Sequence, residues 1–443
     1  MHKVLLRRGR MRCLWDAVGW VAVLVISVGC DRSDREPGQG PPIAARSSLA
    51  ADGVDTVASA QGTPSVTPID GAVASGSGLD LGKAVVQARL SMDLDEPAID
   101  LGVPGFVAIR GGFMMAVNGK HSVVVSRKVG DSFEPLRSCC ADWWVPNGAA
   151  LTTGVKTYAY AAEMGAVYRF EVKPDGTLDG LRTIAVDAAG WSGVMAANVR
   201  LLSENGGSSV EKAVELGVAL YIAKPATKRS KRTARVWVER QKPISVPGAP
   251  EGATSAALLE LGARRFLILT LDGRPEASQV YGIPMEIDDT GRAALGEDRV
   301  LFSAGRSEKR SRIHAVLVGE NPFVLLPIWR TSQDFGLLAY RVGSEAESAT
   351  WVDYPGRIDP APVDASTLCG LPVVAFVRPE TGEAKANHVL EMGWLNESGE
   401  LQNRQVVATE RKIEHVALSD EGSGRWLVYT TPDGLRGRKI TCE

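Results

Sequence analysis

The sequence predicts an all-β fold for residues 81–443, built from one unit that recurs seven times. Apolar runs in this region are about four to seven residues long and are separated by turn residues, which is typical of strands. The most apolar segments begin 44 to 61 residues apart, and we expect each to be the second strand of its unit. They are FMMAV (113–117), TYAYAA (157–162), VALYIA (218–223), FLILTL (266–271), FVLLPI (323–328), PVVAFV (372–377) and WLVYTT (426–431).

Hairpin turns share this period. The segments KPDGTL (173–178), DDTGRA (288–293) and NESGEL (396–401) each contain a glycine, which tolerates the positive φ that such turns need.

A β-rich repeat of about 40 to 50 residues resembles the blades of β-propellers. The resemblance implies seven blades, with six or eight as open alternatives. A pair of β-sandwiches is the other architecture that fits. No specific propeller family is indicated, so the resemblance implies architecture and not function.

The first 29 residues have the features of a secretory signal. Five basic residues within the first twelve positions precede an apolar run at 17–28, which is shorter than the roughly 20 residues of a membrane span. The ending Ser27-Val28-Gly29-Cys30 resembles the lipobox of bacterial lipoprotein precursors, although Ser27 stands where an aliphatic residue is usual. The resemblance implies that residues 1–29 are removed and that Cys30 is lipidated. A plain secretory signal or an uncleaved anchor is the alternative.

Residues 30–80 are expected to be the lipidated cysteine and a disordered linker. Positions 31–79 contain no Phe, Trp or Tyr and are rich in Ser, Gly, Pro and Ala, so they cannot bury enough apolar surface to fold. A flexible chain of this length spans about 35–40 Å. The expected location is the bacterial cell envelope, with the lipid anchor in the outer membrane or on the periplasmic side of the inner membrane.

Charge and motifs argue against several function classes. The formal net charge is -2, which gives no reason to expect a nucleic-acid partner. The sequence contains no GxSxG elbow, HExxH helix, phosphate-binding glycine loop or CxxC spacing, so we expect no metal site and no cofactor. His314 and His415 hold matching places in the innermost strands of two units, and we expect them to be core histidines.

Four cysteines of the repeat region are disulfide candidates, because disulfides persist outside the cytoplasm. Four cysteines allow three pairings. The propeller resemblance puts the last strand beside the first blade, which favours a bond from Cys139 or Cys140 to Cys442. The candidates are Cys139, Cys140, Cys369 and Cys442.

Aromatic residues in predicted connectors are candidates for a ligand face. Exposed Trp beside Asp is a usual lining of sugar and peptide sites. The alternative is that these rings pack between units. The candidates are Asp142, Trp143, Trp144, Trp191 and Tyr354.

Two basic segments are predicted to emerge on the same face. ATKRSKRTAR (226–235) follows the second strand of unit three, and GRSEKRSRIH (305–314) leads into unit five. Such a patch attracts anionic lipid headgroups or polysaccharide, whereas the simpler interpretation is two solvated loops. The patch candidates are Lys228, Arg229, Lys231, Arg232, Arg306, Lys309, Arg310 and Arg312.

These features favour a membrane-tethered binding or scaffold protein that presents a loop face to a protein or polysaccharide partner. The alternative is an extracytoplasmic carbohydrate-active hydrolase or lyase, which would need a pair of carboxylates at the mouth of the propeller.

Overall fold

The structure is a computed structural model, and the residues it describes lie within Leu79–Glu443. The described residues are 90–93, 104–110, 113–118, 123–129, 132–139, 148–163, 165–175, 177–189, 193–201, 214–227, 230–273, 278–305, 312–331, 334–344, 349–359, 361–421 and 424–442. Before residue 108 and throughout 113–139, the description is of the backbone alone.

Every regular element within these ranges is a β-strand, and the strands pair antiparallel. The prediction of an all-β fold is therefore confirmed. The same residues include no helix with the length and apolar character needed to cross a membrane.

The strands of the described chain fall into seven successive groups, numbered here 1 to 7. Group 1 comprises β2 (Pro104–Arg110), β3 (Phe113–Asn118), β4 (Val123–Val129) and β5 (Ser132–Cys139). Group 2 comprises β6 (Gly148–Thr152), β7 (Thr157–Glu163), β8 (Gly165–Val172) and β9 (Leu178–Ala188). Group 3 comprises β10 (Val194–Leu201), β11 (Val214–Ala223), β12 (Thr233–Val238) and β13 (Ile244–Ser245). Group 4 comprises β14 (Ala253–Gly262), β15 (Arg265–Asp272), β16 (Ser278–Ile287), β17 (Ala293–Leu295) and β18 (Arg299–Ala304), the last two both pairing with β16.

The remaining groups follow the same order. Group 5 comprises β19 (His314–Val318), β20 (Asn321–Trp329), β21 (Phe335–Arg341) and β22 (Thr350–Asp353). Group 6 comprises β23 (Val363–Leu368), β24 (Leu371–Pro379), β25 (His388–Leu395) and β26 (Leu401–Glu410). Group 7 comprises β27 (His415–Glu421), β28 (Gly424–Thr431), β29 (Gly434–Cys442) and β1 (Leu90–Asp93).

Group 7 takes its outer strand from the opposite end of the described chain. β1 pairs antiparallel with β29, with Leu90 opposite Cys442 and Asp93 opposite Lys439. Groups 2 and 3 are also linked, because Ala188 of β9 pairs with Ala223 of β11 and joins them into one eight-stranded sheet.

Each of the seven apolar segments predicted to be a second strand lies in the second strand of its group. In the second strands whose side chains are described, from β7 to β28, most positions are buried, as in β15 and β24, because packing covers both of their faces. Few positions are buried in the outer strands β9 and β26. Burial on both faces explains why the second strands are continuous apolar runs.

The first strands of the groups contact one another in sequence. β2 contacts β6, and the contacts continue through β10, β14, β19, β23 and β27, which in turn contacts β2. The approach of β6 to β10 needs glycine, since a Cβ on Gly148 would stand 2.3 Å from the Gly193 Cα. The first strands therefore bring residues from all seven groups together.

The predicted hairpin turns lie between third and fourth strands. Gly291 and Gly399 have φ of 81° and 84°, so the expectation of positive φ is confirmed at both positions. Gly176 lies outside the described residues. Asp187 and Asp353 belong to the outer strands β9 and β22.

Candidate functional site

A cavity of about 500 Å³ is lined by the first strands of all seven groups, or by the residues that lead into them, and is called the first-strand cavity here. Most of the residues that line it are Ala, Ile, Leu, Val or Met, but the surface exposed to the cavity is more polar than apolar. Polar side chains are interspersed with them. These polar residues are Arg110, Ser255, Arg312, His314, Asp364, Ser366, Thr367 and Ser419. A concave site of this volume with several convergent polar groups is a candidate small-molecule site.

Three polar contacts tie neighbouring first strands together around the cavity. The Ile313 amide donates to Ser255 Oγ at 3.1 Å, which joins group 4 to group 5. His314 Nδ1 lies 3.4 Å from Asp364 Oδ1, which joins group 5 to group 6. The Leu418 amide donates to Asp364 Oδ2 at 2.8 Å, which joins group 6 to group 7. Both Asp364 oxygens therefore have partners within the wall.

Arg312 brings a partly buried positive charge to the cavity. Its guanidinium lies against Gly193, where a Cβ would be 3.5 Å from Nη1. Gly193 also has φ of 69°, a conformation that L side chains rarely adopt. Desolvation by burial lowers the pKa of Arg312 to about 10, so the side chain remains a cation at neutral pH.

Arg110 contributes the second guanidinium, from the last residue of β2. Its charge also acts on Glu260 in β14. Burial raises the pKa of Glu260 above its ordinary value, and the positive charge of Arg110 offsets part of that rise. The field of Arg110 therefore extends across to the first strand of group 4.

The two basic segments meet at the start of β14. Residues 224–232 connect β11 to β12, as predicted, and the Ala253 amide donates to the Arg232 carbonyl at 3.0 Å. The connector into β19 reaches the same end of β14 through the bond from Ile313 to Ser255. Lys231 is exposed and pairs with Glu251 at 2.6 Å. The sequence predicts that Arg312 belongs to the basic patch, whereas in the structure its side chain lines the first-strand cavity.

Tyr354 lies in the core and not on a ligand face. Only 7% of its surface is exposed, and its ring stacks on Phe376 with the centroids 6.1 Å apart. Burial, followed by the negative charge of Glu391, raises the pKa of the Tyr354 hydroxyl. This placement corresponds to the alternative that such rings pack between strand groups.

Several predicted site residues lie outside the described residues, or have only their backbone described, and stay predictions. Cys369 is part of a disulfide bond. Since the other cysteine side chains are not described, the predicted bond from Cys139 or Cys140 to Cys442 also stays a prediction. The residues outside the described ranges are Cys30, Cys140, Asp142, Trp143, Trp144, Trp191, Lys228, Arg229, Arg306, Lys309 and Arg310.

The sequence analysis assigned His314 to the innermost strand of its unit. It did not identify the partner of His314, Asp364, or the cavity residue Arg110. A signal was available for Asp364, since it is the one charged residue of β23. Among the described residues, no three His, Cys, Asp or Glu side chains lie close enough to hold a metal ion.

No protein-family model matches the chain, and no curated protein is similar to it. A solved structure that resembles it is a puromycin hydrolase mutant, with 17% sequence identity and a TM-score of 0.44 over 76% of this chain. The chain spans 52%, about half, of the length of that hydrolase. At this distance, the activity of the hydrolase is not carried over to this chain.

Proposed function

We propose that residues 81–443 form a seven-bladed β-propeller in which groups 1 to 7 are the blades. The support is the cycle of contacts between first strands, which runs from β2 to β27 and returns to β2. The pairing of β1 with β29 would then close the ring, since strands from the two ends of the described chain share one blade.

On this architecture, we propose a lipid-anchored binding or scaffold protein of the bacterial cell envelope. The observation that carries the binding function is the first-strand cavity, whose wall combines apolar residues with polar side chains, among them Arg110 and Arg312. The basic segments at the start of β14 would present positive charge to a protein or polysaccharide partner beside it.

The alternative is a carbohydrate-active hydrolase or lyase, and it has less support. Such an enzyme needs two carboxylates, one of them available as an acid or base. Among the described residues that line the cavity, Asp364 is the one carboxylate. Its two oxygens contact His314 and the Leu418 amide, so it acts as a link between strands.

Replacing Cys30 with alanine tests the anchor. We expect the variant to keep residues 1–29 and to carry no lipid, because no thiol is available for the acyl chains. The intact mass of the protein measures both effects, and cell fractionation shows whether the retained apolar segment still holds the variant at the membrane. Cys13→Ala is the matched control, and this variant should be lipidated, processed and located as the wild-type protein is. If Cys30→Ala protein stays in the membrane with the mass of wild-type protein, the anchor is elsewhere.

Reversing the basic segment tests the binding face. Changing Lys228, Arg229, Lys231 and Arg232 to Glu should weaken binding to anionic phosphatidylglycerol vesicles at low salt by at least about tenfold, since each nearby cation adds about 1 kcal/mol. Raised salt should shrink the difference by screening. Co-sedimentation with vesicles measures it.

A two-charge comparison controls for net charge. Lys231→Glu with Arg232→Glu should weaken vesicle binding, whereas Arg264→Glu with Arg265→Glu, at the opposite end of β14, should not. Equal losses in the two variants would assign the attraction to overall charge. Binding that none of the reversals alters would reject the basic segments as a binding face.

A further inference from the structure

We propose that Cys369 and Cys442 are bonded to each other, so that a disulfide fastens the end of β29 in group 7 to the hairpin between β23 and β24 in group 6. Cys369 is part of a disulfide bond. The propeller resemblance favours Cys139 or Cys140 as the partner of Cys442, whereas the positions of the strands favour Cys369. The inference is independent of the binding function proposed above.

Cys369 lies in the turn at the end of the first strand of group 6. β23 ends at Leu368 and β24 begins at Leu371, and these two residues are paired across the hairpin. Cys369 and Gly370 form the turn between them, with φ of 57° and 73°. Two successive residues with positive φ are typical of the tight turns that join antiparallel strands. The hairpin therefore fixes Cys369 at this end of group 6.

The strands of groups 6 and 7 have matching directions. His388 pairs with Pro379 at the end of β24, so it lies at the end of group 6 that is away from Cys369. His388 Nδ1 is 3.0 Å from the amide nitrogen of Ile413, which directly precedes β27. β27 therefore begins at the end of the two groups that is away from Cys369, and it finishes at the end where Cys369 lies.

Cys442 is the last residue of β29 and lies at this same end. β27, β28 and β29 pair antiparallel one after another, so β29 runs in the direction of β27. Its final residue is therefore at the finishing end of β27, beside the turn that contains Cys369. The backbone brings the two cysteine positions to one end of neighbouring groups.

The face of β29 that packs on group 6 includes the position of Cys442. Ile440 is buried in an apolar cluster with Leu368 and Val373 of group 6, and Cys369 packs against the same cluster. Successive residues of a strand alternate between its two faces, and the pairing of β29 with β1 contains no bulge. Cys442, two residues after Ile440, is therefore on the face of β29 that is turned towards Cys369.

Cys139 belongs to a group on the other side of group 7. It is the last residue of β5 in group 1. β27 contacts both β2 and β23, so group 7 lies between groups 1 and 6. Disulfides join residues whose Cα atoms are roughly 4.4–6.8 Å apart, which favours a partner for Cys442 on the group that its own face is turned towards.

Formation of the bond requires an oxidant, which a small-molecule or protein disulfide supplies. The thiolate of one cysteine attacks the oxidant, whose S–S bond breaks as a mixed disulfide forms. The second cysteine then attacks the mixed disulfide, so that two protein thiols and one disulfide become one protein disulfide and two thiols. The bond links residues that are far apart in the chain, so it stabilises the fold chiefly by restricting the unfolded chain.

Peptide mapping of the full-length protein under non-reducing conditions tests the pairing. Trypsin places Cys369 in peptide 358–385 and Cys442 in peptide 440–443. We expect these two peptides to be linked, and the linked mass to disappear on reduction. Peptide 138–156, which contains the other two cysteines of the repeat region, should be linked to neither. Protein that is isolated in reduced form is first incubated with oxidised glutathione.

Thermal unfolding measures what the bond contributes. Cys442→Ser and Cys369→Ser should each lower the Tm by roughly 3–6 °C, and the double variant should lower it by the same amount, because all three lack the same bond. Cys139→Ser is the matched control and should unfold at the Tm of the wild-type protein. A reducing agent should lower the Tm of the wild-type protein to that of the serine variants.

Three results of the mapping would overturn the proposal: a link from peptide 358–385 to peptide 138–156, a link between two copies of the chain, or no link after incubation with oxidised glutathione. If a serine variant does not fold, mapping of the wild-type protein decides the question by itself. The anchor and vesicle experiments do not depend on Cys369 or Cys442, so failure here leaves the tests of the proposed function intact.

Discussion

Replacing Arg169 with alanine should lower the free energy of unfolding by about 3–5 kcal/mol, the usual loss when one partner of a buried ion pair is removed. Arg169 in β8 is only 5% exposed. It donates from both terminal nitrogens to the two oxygens of Glu239, each at 2.9 Å. Its guanidinium also lies 4.3 Å from the ring centroid of Tyr158. Because Glu239 follows β12, the pair holds group 2 to group 3.

Denaturant titration of the full-length protein measures this loss. Lys156→Ala is the control, since Lys156 belongs to group 2 and forms an exposed ion pair with Glu171, and such pairs contribute little. Replacing both partners, with Arg169→Met and Glu239→Leu, should cost much less than Arg169→Ala, because no charge is left buried. A loss for Arg169→Ala as small as that for Lys156→Ala would show that the pair does not join the groups.

The contribution of this pair should depend on pH. Burial acts to raise the pKa of Glu239, but hydrogen bonds from Arg169 and the Gly217 amide outweigh it and hold the pKa below the ordinary 4.5. A carboxylate whose pKa is lower in the folded state stabilises the protein above its unfolded pKa, and this stabilisation disappears as the pH falls through the folded pKa. The difference between wild type and Arg169→Ala should therefore be full at pH 7 and should narrow below about pH 4.5.

Replacing Glu391 with alanine is expected to cost a similar 3–5 kcal/mol, because it leaves two guanidinium groups without their carboxylate. Glu391 in β25 is 4% exposed. Arg378 donates to Oε1 at 2.6 Å, and Arg404 donates to Oε2 at 2.9 and 2.6 Å. Arg404 also lies over the Phe376 ring at 5.5 Å, so the carboxylate fixes a side chain that covers the core.

The midpoint and slope of denaturant unfolding measure this effect. Glu391→Gln keeps the size of the side chain and one acceptor, so it should cost less than alanine. Glu383→Ala, an exposed glutamate of the same group, is the control and should stay within about 0.5 kcal/mol of wild type. If the free energy of unfolding of Glu391→Ala is also within that range of wild type, the contacts among Glu391, Arg378 and Arg404 stabilise group 6 far less than their burial indicates.

The repeat and its apolar strands could be predicted because their signals are local. A second strand packed on both faces must be apolar at nearly every position, so FLILTL and PVVAFV are visible without any knowledge of their neighbours. A hairpin turn that needs positive φ calls for glycine, as at Gly291 and Gly399. Each of these requirements is met within about ten consecutive residues.

The ion pairs and the cavity could not be predicted in the same way. Arg169 belongs to group 2 and Glu239 to group 3, so they meet only when the two groups pack together. His314 meets Asp364 only because two first strands lie side by side. The pairing of β1 with β29 joins the two ends of the described chain and leaves no local pattern. Contacts of this kind depend on which strands become neighbours.

Arg312 shows most clearly what each level decided. The sequence by itself determined that a cluster of basic residues precedes β19, because charge and turn residues are local properties. Only the tertiary structure decided that one of them would face the first-strand cavity, since that depends on Gly193 and β10 lying opposite. The partial burial of this cation arises only when first strands that are distant in the sequence come together around it.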